Sequence, residues 1–150
     1  MSVKTVFKTI TSESSLNQSI PIEIIATIPE DLQASKIPIS LTLCYQKDRN
    51  NDSKYQIPST FMYYHYSIPN RLRTKKATDD DVIGIPLIDT DNDWIKDISR
   101  KIANMVAKKY NKPCYVAWSN TKLMDNSTIS MDQLFVLRSC MEFVQSIMKQ

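Results

Sequence analysis

The residues best equipped for chemistry lie together at Asp89-Thr90-Asp91-Asn92-Asp93, where three carboxylates alternate directly after the apolar run Val82 to Ile88. Carboxylates at alternate positions can gather a divalent cation. Asp89-x-Asp91-x-Asp93 matches the opening of a calcium loop, but the sixth position is Trp94 where glycine makes the turn, and the twelfth is Arg100 where a glutamate closes the shell. An apolar strand ending in Asp89-Thr90-Asp91-Asn92 is also similar to the nucleophile strand of haloacid-dehalogenase-type phosphatases, D-x-D-x-T or D-x-D-x-V. That gives a second reading, a magnesium-dependent phosphatase using Asp89 and Asp91, although the fifth position is Asp93 and the alternating βα order of that fold is missing. The third reading is structural: Asp89, Thr90, Asp91 and Asp93 supply the cap and first turn of a helix, where side-chain oxygens meet free N–H groups and negative charge meets the helix dipole. The helical period that begins at Ile95 favours this one.

A second group joins the aromatic run Phe61-Met62-Tyr63-Tyr64-His65-Tyr66 to Arg71, Arg73, Lys75 and Lys76. Aromatics that stack bases beside cations that hold phosphates describe a single-stranded nucleic-acid module. Strict alternation sends Phe61, Tyr63 and His65 to one face and Met62, Tyr64 and Tyr66 to the other, and Asp79-Asp80-Asp81 opposes the basic run. A core strand followed by a solvated loop explains the group more simply.

Composition removes most other enzyme classes. One glycine cannot build a phosphate-binding loop or a dinucleotide fingerprint, and one histidine with three scattered cysteines fits no zinc spacing. Cys44, Cys114 and Cys140 read as reduced core thiols, no cofactor or metal is expected, and a net charge of +3 is too small to imply nucleic acid. Nothing resembles a signal peptide or a membrane span, so action in the cytoplasm, or also the nucleus, is expected. A length of 150 residues with 42% apolar and 23% charged side chains suits one globular domain, 1–150.

The positioning elements follow from periodicity. Val3 to Ile10, Ile20 to Ile28, Ile37 to Tyr45, Phe61 to Ile68 and Val82 to Leu87 read as strands, and Lys47 to Ser59 and Asn70 to Asp81 as exposed loops. Gly84 and Pro86 inside the fifth strand imply a close backbone approach or bulge, and an edge or irregular position. Ile95, Ile98, Ile102, Met105 and Val106 form the stripe of a helix ending at Lys108 and Lys109, with Asn111 as left-handed cap and Pro113 as stop. Cys114 to Trp118 is a short strand. A final helix starts at Ser130, where Ser130-x-x-Gln133 is a capping box. Its apolar positions form two seams, Leu134, Leu137, Met141, Val144 and Met148 beside Val136, Cys140, Phe143 and Ile147, an arc of roughly 160°. Two readings fit that arc equally: both seams pack inside the chain, or one meets a partner subunit. Five strands, a helix, a strand and a helix give an α+β fold, an antiparallel sheet of about six strands packed with two helices.

Six strings in order, Lys4–Ser15 "KTVFKTITSESS", Ile22–Asp31 "IEIIATIPED", Lys36–Leu43 "KIPISLTL", Tyr63–Pro69 "YYHYSIP", Val82–Thr90 "VIGIPLIDT" and Asn111–Ser119 "NKPCYVAWS", resemble the fungal form of the proteasome assembly chaperone 4 family. The resemblance spans most of residues 4–119; in the last helix only the apolar pattern matches. It implies a small non-enzymatic protein that pairs with assembly chaperone 3, of similar fold, and binds an alpha-type subunit, the fifth of the outer ring. That pair promotes 20S alpha-ring assembly and leaves as beta subunits join. Contact residues do not transfer from the resemblance. The pattern instead suggests Leu134, Leu137, Met141, Val144 and Met148 for the partner chaperone, and Arg71, Arg73, Lys75 and Lys76 for the alpha-type subunit.

Overall fold

A computed structural model describes residues 2–13, 19–45, 60–71, 81–120 and 132–149. Six strands and two helices follow in the order β1 (Val3–Glu13), β2 (Ser19–Pro29), β3 (Ile39–Tyr45), β4 (Thr60–Pro69), β5 (Val82–Ile88), α1 (Asp93–Tyr110), β6 (Cys114–Asn120) and α2 (Gln133–Met148). The strands form one sheet in the order β1-β2-β3-β6-β4-β5. The sheet is mixed, because β3 and β6 run parallel, Ile39 beside Cys114 through Leu43 beside Trp118, while every other pair is antiparallel. This departs from the antiparallel expectation for a topological reason. β5 and β6 each run antiparallel to β4 and are joined through α1, a crossover that inserts β6 beside β3 in the middle of the sheet.

Both helices lie on one face. The inward side chains of the strands there, among them Ile22, Ile24, Ala26, Ile39, Leu41, Leu43, Val116 and Trp118, meet Ile95, Ile98, Ile102 and Val106 of α1 and Val136, Cys140, Phe143 and Val144 of α2. Trp94 meets Trp118 edge-on, with centroids 5.4 Å apart. The α1 stripe passes through Ala103 and Ala107 and leaves Met105 exposed, because two small residues let the helix lie close to β4 and β6. Asn111 takes the left-handed conformation at φ 51°, ψ 41°, as the sequence requires.

The N-terminus of α1 is capped by Asn92, whose Oδ1 accepts from Ile95 N at 3.1 Å, with Asp93 in the first turn. The aspartates were the expected cap, but Asn92 holds the position three residues before Ile95. α2 begins at Gln133 with Asp132 as cap, its Oδ1 accepting from Leu134 N at 2.9 Å. Ser130 of the expected capping box lies outside the described residues. So do the expected loop tip 47–59 and most of the loop 70–81, whose base is closed by Asn70 N donating to Asp81 O at 2.8 Å.

Two irregularities shape β4. Between Phe61 and Tyr63 the pairing with β6 slips, so Phe61 opposes Ser119 and Tyr63 opposes Trp118. The slip reverses the expected alternation at these positions: Phe61 is exposed, and Met62 packs against the core beside buried Tyr63. Between Tyr64 and His65 the pairing with β5 slips as well. β5 is an edge strand, and Pro86 sits there beside the register slip, which satisfies both placements a proline allows.

Candidate functional site

The candidate surface is the sheet face opposite the helices. Register defines it row by row. Phe7, Ile25, Thr42, Ala117, Tyr64 and Ile88 form one continuous row across all six strands, and Thr5, Thr27, Ser40, Tyr115, Tyr66 and Ile85 the next. Neither helix packs against these rows. An antiparallel sheet left open on one side alternates apolar-in with polar-out, yet this outer face is strongly apolar. Phe7 is 64% exposed, Ile83 45%, Ile85 50% and Ile88 42%. Between Val3 and Thr11 of β1 and their β2 partners, Glu23 is the one charged residue on this side, and Glu13, paired with Ser19 at the far end of the strand, is the next at the same register. The lysines of β1, Lys4 and Lys8, project to the helix side, where Lys8 Nζ lies 5.8 Å from the Phe143 ring centroid.

At the centre of the face three tyrosines stack. Tyr115 lies between Tyr64 at 5.6 Å and Tyr66 at 4.5 Å, at interplanar angles of 25° and 28°. Burial, and then the neighbouring Tyr115, push the hydroxyls of Tyr64 and Tyr66 above their ordinary value, so both are neutral near pH 7. Neutral tyrosines in an aliphatic and threonine surround offer large, stiff contact area with few rotatable bonds, the composition of a protein interface core. Contiguous apolar surface of this kind marks interaction sites.

The edge of this face is positioned from beneath. Gly84 lies over His65, and a Cβ on Gly84 would fall 2.6 Å from His65 Nε2 and 3.3 Å from Asn104 Oδ1. The close approach expected of the single glycine is therefore made to a buried imidazole. His65 Nδ1 pairs with the Tyr63 hydroxyl at 2.9 Å, Ser67 Oγ donates to Asn104 Oδ1 at 2.6 Å, and Nε2 faces the glycine without a hydrogen-bond partner. Burial first, and Arg100 second, hold the imidazole below its ordinary value. β5 is thereby fixed against β4 and α1 with its isoleucines turned outward.

The acidic group contains no assembled reaction centre. Asp89 accepts from Thr90 N at 2.9 Å and pairs with Lys96 at 3.1 Å. Lys96, followed by the Thr90 N–H, lowers its carboxyl below the ordinary range. Asp91 is exposed beside the helix start, and among the described residues no three His, Cys, Asp or Glu side chains are placed to hold a metal ion. Cys114 and Cys140 are buried free thiols; burial raises both, Cys140 to about 12.

The seam on α2 divides. Val144 is fully buried, Leu137, Met141 and Met148 pack partly buried against the core, and Leu134 is 58% exposed. Contacts of α2 with α1, β1 and β2 account for most of its wide apolar arc. In the basic group, Arg71 Nη2 donates to the carbonyl of Asn111 at 2.6 Å, while Arg73, Lys75 and Lys76 lie outside the described residues. The outer sheet face was not among the residues singled out from the sequence. Its signal was present in Ile25, Tyr64, Tyr66, Tyr115 and the isoleucines of β5, which are apolar at the positions where an open sheet should be polar.

Comparison with known proteins places the chain among relatives. The family of 20S proteasome chaperone assembly proteins 3 and 4 matches residues 1–145. Proteasome chaperone 4 of Saccharomyces cerevisiae is 36% identical over 149 residues, covering 97% of each chain. The fold superposes with a TM-score of 0.72 on a chain from the crystal structure of a chaperone complex for yeast 20S proteasome assembly, at 34% identity over 97% of this chain and 98% of that one. No helix among the described residues is long and apolar enough to cross a membrane. On sequence and fold alike, the chain belongs to the family of 20S proteasome chaperone assembly proteins 3 and 4.

Proposed function

We propose that this protein acts without catalysis as half of a chaperone heterodimer, its partner being assembly chaperone 3, and that its open sheet face forms the pairing surface. The observation that carries the reading is the pair of adjacent rows that hold Phe7, Ile25, Tyr64 and Ile88, and Tyr66, Tyr115 and Ile85, apolar and aromatic residues on a face that no helix covers. A partner of similar fold presents a comparable face, and two sheets stack with interdigitating side chains at a spacing of about 10 Å. Membership of the solved relative in a chaperone complex supports pairing. The partly buried α2 seam, with Val144 inside the core, offers less apolar surface than the sheet.

The pair would hold an alpha-type subunit, the fifth of the outer ring, through the basic residues Arg71, Arg73, Lys75 and Lys76. It would guide 20S alpha-ring assembly in the cytoplasm or nucleus. If it occupies surface that a beta subunit later claims, the two bind exclusively of each other, and a moderate interface permits timed release. Co-expression with the chaperone 3 homologue and alpha-type subunits tests the proposal: both should co-purify with this chain. Recovery of this chain alone, as a stable monomer, would overturn it.

A further inference from the structure

We infer that a groove at the Arg71 end of the sheet receives a carboxylate flanked by aliphatic side chains on the alpha-type subunit; this rests on the reading of the protein as a chaperone of that subunit. The groove, about 470 Å³, is lined by the apolar Ile68, Pro69, Ile83 and Pro113 and by Lys36 and Arg71, with no acidic residue among the described residues that line it. Its volume falls in the range of binding clefts.

The charge here is unbalanced. Along α1, Lys96, Arg100, Lys101 and Lys108 are each matched by a carboxylate, from Asp89, Asp97, Asp97 and Asp81. Lys36 and Arg71 have no acidic partner among the described residues. Arg71 donates through Nη2 to Asn111 O, which orients the guanidinium and, among the described residues, leaves its remaining donors available. Behind them Lys112 is only 4% exposed, with Nζ donating to Ala34 O at 2.7 Å. Burial lowers the Lys112 ammonium, Arg71 adds to the effect, and Asp31 opposes it. An incoming carboxylate would meet Lys36 and the free edge of Arg71, forming charge-assisted bonds that can be bidentate on the guanidinium. The apolar lining takes its aliphatic neighbours.

Position selects the occupant. Ile68 and Ile83 stand at the end of β4 and of edge strand β5, at the margin of the open face rather than its tyrosine centre. A chaperone seated on the centre leaves this margin for a third protein.

The test uses the purified complex of this chain, its chaperone 3 homologue and the alpha-type subunit. A carbodiimide joins amines to carboxylates in direct contact, and peptide mapping should show Lys36 joined to the alpha-type subunit. The mapped peptide distinguishes an Asp or Glu side chain from the C-terminal carboxylate. Lys36→Glu with Arg71→Gln should leave pairing with chaperone 3 intact and weaken capture of the alpha-type subunit by at least about tenfold. The inference is overturned if Lys36 in the intact complex joins only chaperone 3 or nothing, if the double variant binds the alpha-type subunit unchanged, or if it loses chaperone 3. Failure of the unaltered pair to bind any alpha-type subunit would remove the proposed function and this inference with it.

Discussion

Gly84→Ala isolates the contact that seats the edge strand. The added methyl would stand 2.6 Å from His65 Nε2, 3.2 Å from its Cε1 and 3.3 Å from Asn104 Oδ1. The imidazole cannot swing aside, because His65 is 2% exposed, is held by the Tyr63 hydroxyl at 2.9 Å and stacks on the Tyr63 ring at 5.8 Å. Two effects oppose each other. Alanine in a strand gains about 0.5–1 kcal/mol over glycine, and forcing an extra carbon into a packed site costs about 1–3 kcal/mol. The clash wins, with a net loss of about 1–2 kcal/mol. With a urea slope of about 1–3 kcal/mol per molar, the unfolding midpoint should fall by roughly 0.5–1 M. The same substitution in a His65→Ala background meets only Asn104 Oδ1, at 3.3 Å, and should cost little, a coupling on the order of 1 kcal/mol or more. An unchanged or raised midpoint in the native background, or an equal fall in both, would refute the reasoning.

Other outcomes follow from the same structure. Asn92→Ala removes the acceptor for Ile95 N and should cost about 1 kcal/mol by urea unfolding, with Asp89→Asn costing clearly less; the reverse order would return the cap to the aspartates. The His65 imidazole is held below its ordinary 6.5, so as pH falls the unfolded chain takes the proton first. That contribution to stability is complete above the ordinary imidazole range and declines as pH falls through it, and His65→Gln should flatten the fall below about pH 6.5. In native protein a thiol reagent should modify Cys44 well before Cys114 and Cys140, the two thiols raised by burial; simultaneous reaction of all three would contradict the packing.

Much of the architecture was legible because it is written in local periods. The alternation of Ile37 to Tyr45, the 3.6-residue stripe from Ile95 and the Asn111 cap each appear in the fold within two residues of expectation. The parallel β3–β6 pair was not legible, since it joins residues about 75 positions apart through a crossover that no local pattern encodes. The slip that exchanges Phe61 and Met62 is likewise set by pairing with β6, not by their own sequence. Gly84 and Pro86 announced an edge and a close approach but not that the neighbour is His65. The open face was half-legible. Alternation separated its residues from the core, but showing that no helix covers them required the placement of α1 and α2 on the same side.

The account turns on which surface pairs with the partner chaperone, and mass measurement of two co-expressed variants decides it. Ile85→Asp places a carboxylate in the open face, beside Tyr66; Leu134→Asp places one on the exposed end of the α2 seam. Both residues are at least half exposed, so each variant should fold. Leu134→Asp should be recovered as a one-to-one heterodimer with the chaperone 3 homologue, and Ile85→Asp as a monomer. Pairing that survives Ile85→Asp and is lost in Leu134→Asp would move the interface to the helix and contradict the account.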